Sequence, residues 1–164
     1  MTTPKNETLT PASRRDIPEL SRFIGEYSHL FGLIPRNFFD MTLDADFPTP
    51  LDMGNHRIWI IKNIFTGQIY AVAYVFMAHD GWTNGKWLAV DPVHRRKGMG
   101  TTLFRLMVKQ AREHGHALRF TCPQGSIANK LYQRHGARIT YVERLPSGHA
   151  LNHYELHFKR QKAA

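Results

Sequence analysis

The run from Trp87 to Leu103 constrains the fold most, because an apolar strand, a basic loop and a helical pattern follow one another directly. Trp87-Leu88-Ala89-Val90 has the character of a buried strand, and Pro92 ends it. Gly98 and Gly100 come next, and without a Cβ their backbone can approach an anion closely or adopt a positive φ. The first N–H groups of a helix have no intrahelical partner and lie at the positive end of its dipole. This order of elements is typical of a diphosphate site.

The charge of the loop supports the same interpretation. Arg95, Arg96 and Lys97 precede Gly98, and a good hydrogen bond to a charged group contributes roughly 1.5–3 kcal/mol. The spacing differs from the phosphate loop Gly-x-x-x-x-Gly-Lys-Ser/Thr and from the dinucleotide fingerprint Gly-x-Gly-x-x-Gly. A solvated basic turn is the alternative that these residues alone leave open.

Two motifs resemble those of the GNAT N-acetyltransferase superfamily. Arg95-x-x-Gly98-x-Gly100 is similar to that family's Arg/Gln-x-x-Gly-x-Gly/Ala signature, whose loop holds the pyrophosphate of acetyl-CoA. The segment from Leu131-Tyr132 to Gly136-Ala137 resembles the family's second motif. The resemblance is good over residues 82–144 and weaker over 8–80. It implies an α/β layered fold with a mixed, mostly antiparallel central sheet, splayed parallel fourth and fifth strands, and helices on both faces.

Periodicity and turn residues predict the elements of such a fold. Helices are predicted over residues 16–30, 36–43, 101–114 and 126–135, with Asp16 and Ser126 as caps. Strands are predicted over residues 7–10, 57–63, 69–77, 82–90, 117–122, 139–143 and 153–158. Since no linker or repeat interrupts them, we expect one N-acetyltransferase domain over 1–164, with flexible ends at 1–6 and 159–164.

The composition favours a reducing, aqueous compartment. The single cysteine, Cys122, rules out an intrachain disulfide and is expected to be buried on a strand. Apolar runs stay well below the roughly 18 residues of a membrane span. The N-terminus has no apolar signal core. We therefore expect a cytoplasmic protein with no membrane partner.

The resemblance implies which residues hold acetyl-CoA, the co-substrate. The backbone of Leu88, Ala89 and Val90 would pair with the pantetheine arm, and one N–H would polarise the thioester carbonyl. The pyrophosphate would lie on the loop and first helical turn, formed by Arg95, Arg96, Lys97, Gly98, Met99, Gly100 and Thr101. Many members carry an asparagine seven positions before the motif tyrosine, where this chain has Gly125. Ser126 and Asn129 are the nearby polar candidates, and a place on the helix surface is the alternative for Asn129.

The resemblance also implies the catalytic acid, Tyr132, which would protonate the leaving thiolate. A helix-packing aromatic is the alternative for this residue. Many members use a glutamate on the strand before the loop as the base, and residues 82–90 contain none. Asp80 and His79, at the start of that strand, are the nearest candidates for the base. Glu26 and Tyr27, on the first helix, are others that would act through a water. A structural or solvated role is the alternative for each of them.

The charge distribution bears on the acceptor. Residues 1–52 hold five basic and eight acidic side chains, a net −3, and residues 53–164 hold 17 basic and five acidic ones, a net +12. The acidic cluster Asp40, Asp44, Asp46 and Asp52 would attract a cationic amine, unless it is simply a solvated loop. The basic part would attract polyanions such as CoA, a nucleic acid or an acidic partner.

We therefore expect an enzyme that moves an acetyl group from acetyl-CoA to a primary amine by direct attack on the thioester. The amine would be carried by a small molecule, a peptide or a nucleic acid. The alternative is a catalytically weak GNAT-like module, or an acyltransferase, that binds aminoacyl-tRNA, a modified base or an acidic partner. A homodimer could form with residues 153–158 as a sheet edge. No metal is expected, because His114/His116 and His153/His157 lack a third ligand at recognisable spacing.

Overall fold

One sheet organises the protein, and its order places two parallel strands at the centre. The structure, a computed structural model, describes residues 6–27, 38–43, 55–95 and 98–159. Its strands are β1 (Glu7–Pro11), β2 (Asn55–Asn63), β3 (Ile69–Met77), β4 (Trp82–Val90), β5 (Ala117–Pro123), β6 (Arg138–Arg144) and β7 (Ala150–Leu156). They lie in the order β1-β2-β3-β4-β5-β7-β6, and β4 and β5 are parallel while the other described neighbours are antiparallel.

Helices cover both faces of this sheet. The described helices are α1 (Ile17–Glu26), α2 (Phe38–Leu43), α3 (Met99–Glu113) and α4 (Ala128–Arg134). Side chains of α1 and α2, such as Phe23 and Phe39, pack on one face of the sheet, which we call the α1 face. Side chains of α3 and α4 such as Phe104 and Tyr132 pack on the other, the α3 face. The fold class predicted from the sequence is confirmed. None of the helices in the described ranges is long and apolar enough to cross a membrane.

Both predicted helix caps differ from the sequence prediction. The Asp16 side chain does not cap α1; its carboxylate accepts a 2.8 Å bond from the Ser13 N–H and a 2.7 Å bond from Lys62 Nζ. Asp16 thus closes a 3-10 turn before the helix and ties it to β2. Ser126 Oγ accepts the N–H of Ala128 at 3.2 Å, but α4 begins only at Ala128.

The edge of the sheet is also not where the sequence predicted it. Residues 153–158 were expected at an edge, but β7 is hydrogen-bonded to β5 on one side and β6 on the other. The edge strand is β6, whose Tyr141 and Val142 are largely exposed. Strand order depends on long-range pairing, which the local pattern of residues 138–156 does not contain.

A bulge in β4 opens the sheet between its two parallel strands. Tyr74 faces Trp87, whereas the next residue, Val75, faces Gly85, so Lys86 is an extra residue in β4. A bulge bends its strand and increases the local twist. Pairing of β4 with β5 ends at the same point, with Gly85 opposite Phe120. Beyond it, residues 86–90 of β4 and 121–123 of β5 diverge and form what we call the β4–β5 gap.

Gly85 allows the last contact before this gap. A Cβ built on Gly85 would lie 2.6 Å from Met107 Cε and 3.2 Å from Phe120 Cβ. Met107 belongs to α3 and Phe120 to β5, so both neighbours press against the glycine backbone from the α3 face. The absence of a side chain therefore lets α3 pack closely where the strands begin to diverge.

We expect Gly85→Ala to destabilise the protein by about 1–3 kcal/mol, because the added methyl group overpacks this contact. The measurement is the free energy of unfolding in urea. Gly25→Ala is the matched control, since a Cβ at Gly25 in α1 meets nothing within 4 Å. That change should be neutral or stabilising by up to about 1 kcal/mol. Equal stabilities of wild type and Gly85→Ala would contradict the assigned packing.

Candidate functional site

The β4–β5 gap exposes backbone groups that a sheet normally uses. On its other side β4 stays paired with β3 up to Val90, opposite Ala71. Toward β5, residues 86–90 have no ladder partner among the described strands. The side chains of Leu88 and Val90 pack on the α3 face and Ala89 on the α1 face, so the rim of the gap itself is main chain. An extended ligand could therefore bind here as an additional strand does.

Directly above the gap, β4 leads into the loop that begins α3. Gly98 is the N-cap of this helix, with φ 80° and ψ 6°, in the left-handed region. The first helical bond runs from Thr102 N–H to Gly98 C=O at 3.0 Å. The N–H groups of Met99, Gly100 and Thr101 precede that bond and point out of the helix end. With the helix dipole they form a positive concave surface suited to phosphate oxygens.

Glycine stands at positions 98 and 100 for two different structural reasons. Gly98 has a positive φ, a backbone conformation that residues with a side chain rarely adopt. The space around it is open, since a Cβ there would meet nothing within 4 Å. Gly100 is helical, and a Cβ would lie an ordinary 3.7 Å from Val90 Cγ2. The conformation of the loop thus depends on Gly98, and a side chain at Gly100 would matter only to a ligand.

Several contacts hold the start of the loop in place. The Asp91 N–H donates to the Tyr70 carbonyl at 2.7 Å, and the Asp91 carboxylate accepts the Val93 N–H at 2.9 Å. The His94 ring stacks on the Tyr70 ring at 3.8 Å. Arg95 Nε donates to the Val90 carbonyl at 3.3 Å, which folds this exposed side chain back over the end of β4. Arg96 and Lys97, also predicted to bind the phosphates, lie outside the described residues.

Tyr132 lies on the α3 face within a cluster of aromatic rings. Its ring centroid is 4.5 Å from that of Phe120, 5.1 Å from that of Phe104 and 5.6 Å from that of Tyr154. Only 6% of the residue is exposed, and burial raises the pKa of its hydroxyl well above the ordinary value. Tyr132 therefore keeps its proton at neutral pH, and its hydroxyl has no competing hydrogen-bond partner among the described residues.

Asn129 organises the loop between β5 and α4, and it is buried rather than on the helix surface. Its Nδ2 donates to the carbonyls of Pro123, Gln124 and Ser126 at 2.8–3.2 Å. Its Oδ1 accepts from Asn152 Nδ2 at 3.0 Å and from the Tyr154 hydroxyl at 2.6 Å. The side chain thus uses its whole amide to join the loop to β7, and Tyr132 follows one helical turn later.

Both acidic candidates are engaged in ion pairs with arginines. The Asp80 carboxylate accepts the Trp82 N–H and forms an ion pair with Arg119 at 3.2 Å. It precedes Gly85 by five residues, about 16 Å of extended chain, at the closed end of the parallel pair. Glu26 ends α1 as an exposed residue and forms an ion pair with Arg22. Asp80 is thus separated from the gap by the first half of β4. Glu26 is next to Tyr27, whose electrostatic neighbours include Asp91 and Arg95 at the end of β4, but its own carboxylate is held by Arg22. Of the acidic cluster, residues 44, 46 and 52 and the side chain of Asp40 lie outside the described residues.

Sequence reasoning missed Asn152, Tyr154 and Gly85, which shape the site without facing a ligand. Asn152 and Tyr154 alternate on β7 and could have been recognised as inward-facing positions had the bounds of β7 been predicted correctly. The role of Gly85 depends on the bulge at Lys86, for which the sequence carries no local signal.

The comparisons with known proteins agree with this geometry. Residues 54–136, just over half of the chain, match the family model of the acetyltransferase (GNAT) domain. No curated protein sequence matches the chain significantly.

Solved structures with this fold cover nearly the whole chain at low sequence identity. NAA60 from Arabidopsis thaliana, in complex with a bisubstrate analogue, has a TM-score of 0.72 at 12% identity, over 91% of this chain and 96% of that one. The ribosomal-protein-S18-alanine N-acetyltransferase from Escherichia coli has a TM-score of 0.69 at 15% identity, over 96% and 99%. N-acetylglutamate synthase from Neisseria gonorrhoeae, complexed with coenzyme A and N-acetyl-glutamate, has a TM-score of 0.66 at 16% identity, over 96% of this chain and 37% of that one. At such identities the likeness shows the fold alone.

We expect Asn129→Ala to lower the free energy of unfolding by about 2–4 kcal/mol, because it leaves buried carbonyls and the Tyr154 hydroxyl without their partner. Chemical denaturation measures this loss. Gln133→Ala serves as control on the same helix, since Gln133 is exposed and its amide makes a single 3.2 Å bond to Tyr154. If the two variants were equally stable, Asn129 would not be the anchor of the loop.

Proposed function

The chain belongs to the GNAT acetyltransferase superfamily, and on this premise we propose that it moves the acetyl group of acetyl-CoA to a primary amine by direct attack of the amine on the thioester. The observation that carries the proposal is the β4–β5 gap, which runs into the N-terminus of α3. A sheet that opens between two parallel strands, next to an anion-binding helix end, suits a ligand with a diphosphate and a long amide-containing arm.

The residues around the gap fit acetyl-CoA as co-substrate. The N–H groups of Met99, Gly100 and Thr101 would hold the pyrophosphate. Arg95, whose Nε donates to the Val90 carbonyl at the end of β4, would add positive charge. The backbone of Leu88, Ala89 and Val90, which has no strand partner toward β5, would bind the amides of the pantetheine arm. A β4 N–H that points into the gap would donate to the thioester carbonyl, whose negative charge grows during attack, and such a donor is worth about 3–4 kcal/mol.

Tyr132 would donate its proton to the leaving sulfur. A free thiol has a pKa near 8.5 and tyrosine one near 10, so the transfer is uphill even in water. Burial raises the pKa of Tyr132 further, which makes full transfer harder. We therefore infer that Tyr132 stabilises the leaving thiolate by a hydrogen bond that becomes proton transfer late in the reaction.

The cofactor site can be tested before any acceptor is known. We expect wild-type protein to bind acetyl-CoA with a micromolar Kd in calorimetry. Gly98→Ala should weaken binding tenfold or more, because an alanine at that φ costs about 1–2 kcal/mol and reorients the first N–H groups of α3. Gly115→Ala is the matched control: Gly115 also has a positive φ, 67°, but lies beyond the far end of α3, so this variant should bind acetyl-CoA as the wild type does. Absence of binding by the wild type would overturn the proposed function.

We expect Tyr132→Phe to lower kcat about 10²-fold, at the lower end of the range for general acids, because Tyr132 is a weak acid in its buried position. Thermal stability should stay unchanged, since the hydroxyl has no partner among the described residues. Tyr154→Phe is the neighbouring control. It loses the 2.6 Å hydrogen bond to Asn129, so it should lower the thermal stability and have little effect on kcat. Acetyl transfer is followed as release of the CoA thiol. Full activity of Tyr132→Phe would reduce Tyr132 to a packing residue.

A further inference from the structure

A histidine–carboxylate pair lies on the α1 face, one strand away from the β4–β5 gap. His153 of β7 and Glu143 of β6 are joined by a 2.8 Å contact between Nε2 and Oε1. Neither residue belongs to the site described so far. We propose that His153, held by Glu143, accepts the proton of the acceptor ammonium, an assignment that rests on the proposed function.

The strand register places His153 at the level where the gap opens. Phe120 is the last residue of β5 paired with β4, and the next residue, Thr121, lies directly opposite His153. Since Phe120 and Tyr154 pack on the α3 face, alternation places Thr121 and His153 on the α1 face. Thr121 is exposed, and residues opposite in an antiparallel pair have Cβ atoms about 4.5–5.5 Å apart. An amine that enters the gap from the α1 face therefore meets Thr121 first and His153 next.

The imidazole ring is held in one orientation. Glu143 binds Nε2, and the Tyr141 ring stacks on the imidazole with centroids 3.9 Å apart and an angle of 17°. The side chain of His153 is 21% exposed. Its Nδ1 has no hydrogen-bond partner in the part of the chain that the structure describes. A ring fixed by a carboxylate at one nitrogen, with the other nitrogen open, is the arrangement of an oriented base.

The other candidates for the base are less well placed. Residues 86–90, which line the gap on β4, contain no carboxylate or histidine. Asp80 and Glu26 are each engaged by an arginine. His56 also lies on the α1 face, but its Nδ1 is bonded to the Tyr74 hydroxyl at 2.5 Å, and Tyr74 is 5% exposed beneath Phe38 and Trp87.

In the proposed reaction, His153 and Tyr132 each take part in separate proton transfers. The acceptor ammonium loses a proton to His153 Nδ1 through one bridging water, and the Glu143 carboxylate stabilises the imidazolium. The neutral amine attacks the thioester carbon, so a C–N bond forms and the C–S bond breaks. The sulfur takes the Tyr132 proton, the nitrogen returns its second proton to Tyr132, and His153 releases the first proton to solvent. The products are the amide, CoA as its thiol and one proton.

An imidazole base favours an acceptor with an α-amine. At pH 7 about one in seven α-amines with a pKa near 7.8 is already neutral, against about one in 2500 lysine amines with a pKa near 10.4. Far less free energy is therefore needed to deprotonate an α-amine than a lysine amine, so a single oriented base is better matched to the α-amine. We infer that the acceptor is a peptide or amino acid with a free α-amine.

The assignment is tested with a lysine-free peptide that has a free α-amine, and with the same peptide N-acetylated and carrying one lysine. His153→Ala should lower kcat for the first peptide about 10²-fold while the Kd for acetyl-CoA is unchanged. Added imidazole should restore activity, because the Tyr141 ring leaves a stacking site for it. His157→Ala is the matched control. His157 follows the last residue of β7, contacts Glu155 at 3.4 Å and lies far from the gap, so the variant should have unchanged activity.

Each outcome separates the two proposals. Full activity of His153→Ala, or a loss that imidazole does not restore, would overturn His153 as the base and leave the acetyltransferase in place. If His153→Ala no longer binds acetyl-CoA, Glu143→Gln decides: a tenfold lower kcat supports the pair, and an unchanged kcat overturns it. Transfer to the lysine peptide alone would contradict the α-amine. A wild type that binds no acetyl-CoA, or transfers acetyl to neither peptide, would overturn the proposed function together with this inference.

Discussion

The separation of β4 from β5 beyond Gly85 and Phe120 is the constraint on which the rest of the structure depends. A buried sheet normally satisfies every N–H and C=O group, so an opening in its middle leaves polar main chain without partners and is costly. The protein limits that cost by keeping β4 paired with β3 on one side and β5 with β7 on the other. The gap persists because the bulge at Lys86 redirects β4 while the packing of α3 against Gly85 fixes where the strands part. A ligand that supplies strand-like hydrogen bonds would complete the sheet.

Much of this could be predicted from the sequence where the signal is local. Gly98 was identified from its spacing and proves to be the left-handed N-cap of α3, and the helix and strand order followed from periodicity. The predictions that were wrong concerned residues whose contacts are distant in the sequence. Asp16 was expected to cap its own helix but bonds to Ser13 and to Lys62 on β2, and 153–158 was expected at an edge that β6 occupies. Asn129 could not be assigned because the pattern of α4 does not reveal that β7 supplies two of its partners.

Tyr132 illustrates how packing and chemistry compete at one residue. Three aromatic rings hold it, and the resulting burial raises the pKa of its hydroxyl, which weakens it as an acid. The same burial keeps water away and leaves the hydroxyl without a competing partner among the described residues. Its neighbour Tyr154 is equally buried, yet that hydroxyl is bonded to Asn129. Of these two neighbouring tyrosines, Tyr154 thus stabilises the β5–α4 loop, and Tyr132 keeps a hydroxyl that the proposed function uses.

The two faces of the sheet divide the chemistry between them. The helix N-terminus and Tyr132 belong to the α3 face, where the leaving thiolate would develop negative charge. Thr121, His153 and Glu143 belong to the α1 face, from which an ammonium ion would enter and where a proton must be removed. Where the described sheet lies between them, the proposed acid on one face and the proposed base on the other would not exchange a proton directly. In the proposed reaction, both faces would reach the reacting carbon at the gap, which would tie the chemistry to the point where the two parallel strands diverge.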